Sequence, residues 1–308
     1  MQSIFIIAPI FILIGLGWLL NYKGLFSSLT IKENNFVLYW FAMPATLLRG
    51  ILNADMGILA NPLFIAAVWS PYAISILIVW FLNRNSETPP RFATLVLSTV
   101  RGNHFFAGIP IIGLSMGKTG VEAGTLILAF SLVIMQLLSI GCGQLALLGK
   151  LSRDTLLATG KQLLKNPLFM TCLFGLFLVF VGLRNLPPWV RETLRILADV
   201  STGMALLALG ASIHLENIAQ MLLSVQKIVW AKLVLHPVVT WSIFSAFGLP
   251  ETMIQAGTLL AAMPVAVNTA IVAQEMGMDN QYCARGIAVT TLCSLVTFPF
   301  WIHFLGLV

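Results

Sequence analysis

Two stretches of a mostly apolar chain concentrate the residues that could do chemistry. Residues 99–110 read Thr-Val-Arg-Gly-Asn-His-Phe-Phe-Ala-Gly-Ile-Pro, and residues 261–270 read Ala-Ala-Met-Pro-Val-Ala-Val-Asn-Thr-Ala. Arg101 follows Phe92 by about 14 Å of helix, which places it near the middle of a hydrocarbon core about 30 Å thick. A guanidinium at that depth needs a partner, and no acid lies within one helical turn of it. The partner must come from another helix or from a bound solute, and the planar fork suits a carboxylate held by two hydrogen bonds. The alternatives are a side chain that snorkels to the inner surface, or a purely structural ion pair. Asn103 and Asn268 donate and accept without carrying charge, so they could line an anion site or join helices. His104 could titrate or serve as a structural donor, and Gln274 and Glu275 could take part in coupling or be solvated.

Gly108, Pro110, Pro264 and Thr269 mark where the two stretches should leave regular helix. A break in hydrocarbon strands backbone groups at several kcal/mol each unless protein or a watery cavity receives them. Two such breaks crossing at mid-membrane would aim half-helix N-termini, with free N–H groups and partial positive charge, at one place that suits a carboxylate. Ordinary kinks at Pro110 and Pro264 are the plainer reading, since both Gly and Pro are common in membrane helices. The candidate substrate-binding set is therefore Arg101, Asn103, His104, Gly108, Pro110, Pro264, Asn268 and Thr269. The coupling candidates are His104, Gln274 and Glu275, and neither a cofactor nor a metal is expected beyond a possible coupling proton or sodium ion.

The elements that must position these residues follow from composition. With 58% hydrophobic and 9% charged residues, the 308-residue chain lies far from the roughly 25% charged of soluble domains, which excludes a water-soluble fold. The pattern predicts an all-α polytopic membrane protein with helices at 4–21, 34–52, 62–82, 92–115, 122–148, 167–184, 193–214, 227–248, 252–276 and 284–307. At about 20 residues each, ten spans leave little room for an extramembrane domain. The apolar start lacks a basic leader segment, so it is expected to be a retained first helix. The net charge of +6 is dispersed singly between apolar runs, which offers no basic stripe to a nucleic acid. Cys142, Cys172, Cys283 and Cys293 are too scattered for a disulfide framework or a zinc site. Turns are expected at Asn61-Pro62, Pro89-Pro90, Asn166-Pro167, Pro187-Pro188 and 248–250, and Trp18, Trp80, Trp189, Trp230 and Trp301 fall where an interfacial belt would put them.

Orientation follows from alternate loops. Lys23, Lys32, Arg84, Arg91, Lys150, Arg153, Lys161, Lys165, Lys227, Lys232 and Arg285 fall on one side, against Arg49, Lys118, Arg184, Arg191 and Arg195 on the other. The richer side is cytoplasmic, which puts both termini outside. The polar connector at 149–166 then divides the chain into five-helix sets at 1–148 and 167–308. A shift of about 160 residues superimposes Gly15 on Gly175, Gly50 on Gly210 and Gly117 on Gly277. An odd number of spans per half forces the halves to insert in opposite directions, the inverted-repeat plan of many secondary transporters, with broken helices four and nine as counterparts. Asp199 lies one turn from Arg195 and should pair with it, while Asp55, Glu216, Glu251 and Asp279 read as loop charges. The sequence is expected to offer no paired-Asp motif, no Gly-rich phosphate loop, no Gly-x-Ser-x-Gly elbow and no His-Glu-x-x-His, so enzyme chemistry is not expected.

The motifs resemble those of the auxin efflux carrier family, which joins plant auxin carriers to bacterial organic-acid carriers. In span four, Asn103, Gly108-Ile109-Pro110 and Gly117 are similar in type and spacing to the plant carriers. In span nine, Ala262-Met263-Pro264 and Ala273-Gln274-Glu275 resemble the corresponding Ala-Leu-Pro and Ala-Lys-Glu segments. The likeness in helix number and connector covers the whole chain. It implies a bile-acid-symporter-like carrier of two inverted five-helix repeats, moving mono- or dicarboxylates by an elevator-like motion in a bacterial cytoplasmic membrane, often as a homodimer. Carried over by residue, the supporting positions are Asn103, Gly108, Pro110 and Pro264. Two departures stand out: the plant carriers have a second proline at the position of Thr269, and they lack Arg101. A different class remains open, a membrane sensor that binds a small anion without moving it, which an added signalling domain would reveal. A membrane-embedded enzyme would instead alter a lipid or prenyl substrate.

Overall fold

The computed structural model describes residues 2–54, 57, 62–150, 153–211 and 218–307, so the expected roles of Asp55, Asn61 and Glu216 fall outside the described residues. Every regular element there is helical. In chain order they are α1 (Gln2–Tyr22), α2 (Ser28–Val37), α3 (Met43–Asn53), α4 (Pro62–Asn83), α5 (Pro89–Val100), α6 (Ile109–Leu148), α7 (Arg153–Lys165), α8 (Pro167–Phe180), α9 (Pro188–Ala211), α10 (Ile218–Trp230), α11 (His236–Ala246), α12 (Glu251–Ala261), α13 (Asn268–Glu275) and α14 (Asn280–Phe304). Among the described residues, six continuous helical stretches are long and apolar enough to cross a membrane: Leu29–Asn53, Leu63–Asn83, His104–Leu148, Pro188–Ala211, Met221–Ala246 and Asn280–Phe304. Shorter apolar helices lie at Ala8–Tyr22 and Pro167–Phe180. The His104–Leu148 stretch is two helices joined at Gly117, whose φ of 65° and ψ of −153° no helix contains. Gly277 has the same sign of φ, 70°, at the corresponding place after α13. The connector contains α7, an amphipathic helix rather than a plain loop.

Among the described residues, three helices, α3, α6 and α11, are entered through a π-helical turn, and each time a proline stands at the second position after it. The turns are Leu38–Ala42 before Pro44, His104–Gly108 before Pro110, and Ala231–Leu235 before Pro237. Proline has no N–H to donate and its ring clashes with the carbonyl a turn earlier. Widening the preceding turn by one residue relieves that clash while the helix continues.

The helices pack in two groups. One contains α1, α2, α3, α8 and α9, with α1 against α9 and α3 against α8. Gly17 and Gly210 let α1 and α9 meet backbone to backbone: a Cβ at Gly210 would lie 1.9 Å from the Ile14 carbonyl oxygen, and one at Gly17 would lie 2.1 Å from that of Leu207. In the related pair, Gly175 of α8 faces Ile51 of α3. The other group contains α4, α5, α6 and α10 through α14, and α6 packs on both. Trp301, expected at the interface, is instead buried, and its indole donates to the Leu233 carbonyl at 3.1 Å.

Candidate site at a helix crossing

Spans four and nine are both interrupted. Helix α5 ends at Val100 and helix resumes at His104, while α12 ends at Ala261 and α13 begins at Asn268. Neither α5, α12 nor α13, at 12, 11 and 8 residues, could cross a bilayer alone. The break in span four therefore lies at 101–103, upstream of the expected Gly108–Pro110 break. Pro110 occupies the second position of α6, where helix tolerates it, and the π turn absorbs its missing donor. Gly108 serves close approach, because a Cβ there would lie 2.9 Å from Leu260 Cδ2 and 3.2 Å from Met263 Cγ of the other broken span.

The two breaks satisfy one another. Gly102 faces Val265 in a single antiparallel bridge. The Asn103 N–H donates to the Pro264 carbonyl at 2.7 Å, and the Ala266 N–H donates to the Arg101 carbonyl at 2.9 Å. The Val265 N–H is taken by Thr290 Oγ1 of α14 at 3.1 Å. These bonds receive backbone groups that the missing helix would otherwise leave bare. Beyond them, the N–H groups of His104, Phe105 and Phe106 at one half-helix N-terminus, and of Val267 and Asn268 at the other, have no acceptor among the described residues. The Asn103 side chain, which is buried, bonds to none of the described residues either.

Two cations are buried around this crossing. Arg101, 2% exposed, donates through Nη1 to Gln136 Oε1 and, at 3.4 Å, to Ser139 Oγ, both on α6. Lys232, 0% exposed, lies in the π turn between α10 and α11 and donates from Nζ to the Ala261 carbonyl at 2.6 Å. Among the described residues no carboxylate lies within 4.0 Å of either cation. Among the described residues, the buried polar atoms without a hydrogen-bond partner include Arg101 Nε, His104 Nε2, His236 Nε2 and Thr269 Oγ1, with others elsewhere in the molecule. His236 is anchored on its other nitrogen, with Nδ1 2.9 Å from Ser75 Oγ, and its ring stands edge-on to Tyr72. The ion pairs lie elsewhere: Glu87 with Arg91 and Lys227 at one end, and Arg195 with Glu192 and the expected Asp199 at the other.

Of the residues singled out in the sequence, the crossing brings together Arg101, Asn103, His104, Pro264 and Thr269, all buried. Asn268 is exposed, and Gln274 and Glu275 are exposed at the far end of α13, about 10 Å of helix from the break. Lys232 was read as an inner-surface cation and is instead buried inside a helical span. The signal was present, a charged residue one turn before His236-Pro237 in an apolar run. Gln136, Ser139 and Thr290 carried no such signal. One Gly-x-Ser-x-Gly spacing does occur, at 113–117, but it lies on a helix and Ser115 Oγ donates to the Ile111 carbonyl at 2.7 Å. A nucleophile elbow needs a strand-to-helix turn, so Ser115 is not one.

Known membrane transport proteins resemble the chain along most of its length. The profile of the family described as "Membrane transport protein" matches residues 3–153 and 150–302. The chain is 25% identical over 276 residues to a Rhizobium meliloti (strain 1021) protein named "Putative malonate transporter", covering 86% of this chain and 83% of that one. It is 20% identical over 306 residues to an uncharacterized transporter of Methanothermobacter thermautotrophicus, covering 96% of each. With apolar helices long enough to span a bilayer and a family match along nearly its whole length, the chain is an integral membrane protein that belongs to the auxin efflux carrier-like membrane transport family.

Proposed function

We propose that the chain is a secondary carrier of small organic anions, mono- or dicarboxylates, working by alternating access. The observation that carries this reading is the crossing itself: half-helix N–H groups on both breaks with no acceptor among the described residues, beside two buried cations that pair with no carboxylate among them. Helix N-termini and a guanidinium both favour a carboxylate, and a carboxylate supplies the negative charge that buried cations require. The name of the Rhizobium relative points to the same chemistry.

In this reading the chain crosses the membrane ten times as inverted repeats at 1–148 and 167–308, linked by 149–166, with both termini outside in a bacterial cytoplasmic membrane. The shared left-handed glycines after each broken span, Gly117 and Gly277, support the repeat. The group of α4–α6 and α10–α14 moves as the elevator against the group of α1–α3, α8 and α9, which also serves as the surface for a homodimer. Of the coupling candidates, His104 is the one at the crossing, so a proton rather than Glu275 or Gln274 chemistry fits best. Thermal unfolding of the purified protein against a panel of mono- and dicarboxylates tests the site: at least one acid raises the unfolding temperature of wild type but not of Arg101→Ala. An acid that stabilises both equally removes Arg101 from the site.

A further inference from the structure

Why should an ammonium group be buried at the end of α12? In an unbroken helix the Ala261 carbonyl would accept the N–H of Val265, four residues on. Here that N–H is committed to Thr290 Oγ1, and the intervening Pro264 has no N–H to offer in its place. The Ala261 carbonyl is therefore orphaned at the negative end of a half-helix dipole, inside the protein. A broken membrane helix commonly leaves such carbonyl ends for a bound cation to occupy. Lys232 reaches this one from a neighbouring helix with a 2.6 Å bond, fully buried. Gly102 leaves room for it, since a Cβ there would lie 3.2 Å from Lys232 Nζ and 2.5 Å from His104 Nε2.

We infer that Lys232 is a tethered cation that holds the span-nine break in place of a free sodium ion, so that carriage is sodium-independent. The inference rests on the carrier reading for its transport consequence, but its binding consequence does not need transport. Lys232 is the second residue of the π turn at Ala231–Leu235, and it reaches from there to the Ala261 carbonyl. Among the described residues, the charged and titratable groups that share its surroundings are His104 and His236, with Arg101 acting on His104 in turn, and none of them pairs with a carboxylate.

The test compares wild type with Lys232→Met, which keeps the length and loses the charge, and with Lys232→Arg, which keeps the charge. Thermal unfolding of each purified protein is measured in sodium chloride and in choline chloride at equal ionic strength. Uptake of labelled organic acids into proteoliposomes is measured in the same two salts. Wild type and Lys232→Arg should unfold at the same temperature in both salts, and uptake by both should be independent of sodium. Lys232→Met should lose at least tenfold in uptake rate in both salts. Sodium-specific stabilisation of wild type by several degrees, or sodium-driven uptake, would overturn the inference, as would Lys232→Met transporting at the wild-type rate. If Lys232→Met does not fold, the wild-type salt comparison and retention of uptake by Lys232→Arg still decide it. Absence of uptake of any acid by wild type would refute the carrier reading alone, leaving the salt dependence of unfolding to judge Lys232.

Discussion

Replacing Gly102 with alanine adds a single methyl group at the point where the two broken spans pair. Its Cβ would lie 2.5 Å from His104 Nε2 and 2.7 Å from His104 Cδ2, where ordinary contact begins at 3.4 Å. The imidazole, 1% exposed, would have to retreat by about 1 Å, and overfilling a packed interior in this way costs about 1–3 kcal/mol. Backbone conformation does not enter, because the φ of Gly102 is not among the left-handed ones. The restriction of the unfolded chain returns about 0.4–1 kcal/mol, so a net loss of about 1–2 kcal/mol is expected. Gly203 is the control, since it lies in α9 with no atom within 4 Å of its added Cβ, and Gly203→Ala should stabilise by up to about 1 kcal/mol from helix propensity. Thermal unfolding in detergent reads both. The double variant Gly102→Ala/His104→Ala should recover stability relative to the sum of the singles, with a coupling of about 1 kcal/mol or more. A Gly102→Ala variant as stable as Gly203→Ala, or strict additivity with His104→Ala, would show that the ring does not sit against the bridge.

Other perturbations probe other parts of the same argument. Gly210→Leu places a Cβ 1.9 Å from a backbone oxygen of α1, which cannot swing aside as a side chain can, so folded yield and thermal stability should fall more than for Gly203→Leu; equal behaviour would contradict the α1–α9 contact. Thr290→Val keeps the shape of the side chain and removes the acceptor for the Val265 N–H, at about 1–3 kcal/mol for a buried donor left unpaired; unchanged unfolding would mean that N–H is satisfied in another way.

How much of this was legible in the sequence depended on whether a residue advertises itself locally. The two breaks were, because Arg101-Gly102-Asn103 and Pro264 interrupt apolar runs, and lipid tolerates an interruption only when something receives the backbone. The position of the first break was misjudged, since the Gly108–Pro110 segment looks like a breaker although a π turn carries the helix through it. That choice is made by the space available around the turn. Lys232 was misread because loop charges and buried charges are the same letter, and only its reach to Ala261 tells them apart. The partners of Arg101, 35 and 38 residues away on α6, depend on tertiary packing that no local pattern encodes. Gln274 and Glu275 stand out as polar residues closing span nine, yet they lie at the far end of α13 from the crossing.

If the paired breaks form a passageway site for organic anions, purified protein loaded into liposomes should take up radiolabelled malonate or another acid from a panel of mono- and dicarboxylates faster than protein-free vesicles do. Saturable uptake of at least one acid, competed by its unlabelled form and diminished at least tenfold in Arg101→Ala, is the predicted result. Vesicles containing folded protein that accumulate none of the acids faster than empty ones, with or without a proton gradient, would contradict it.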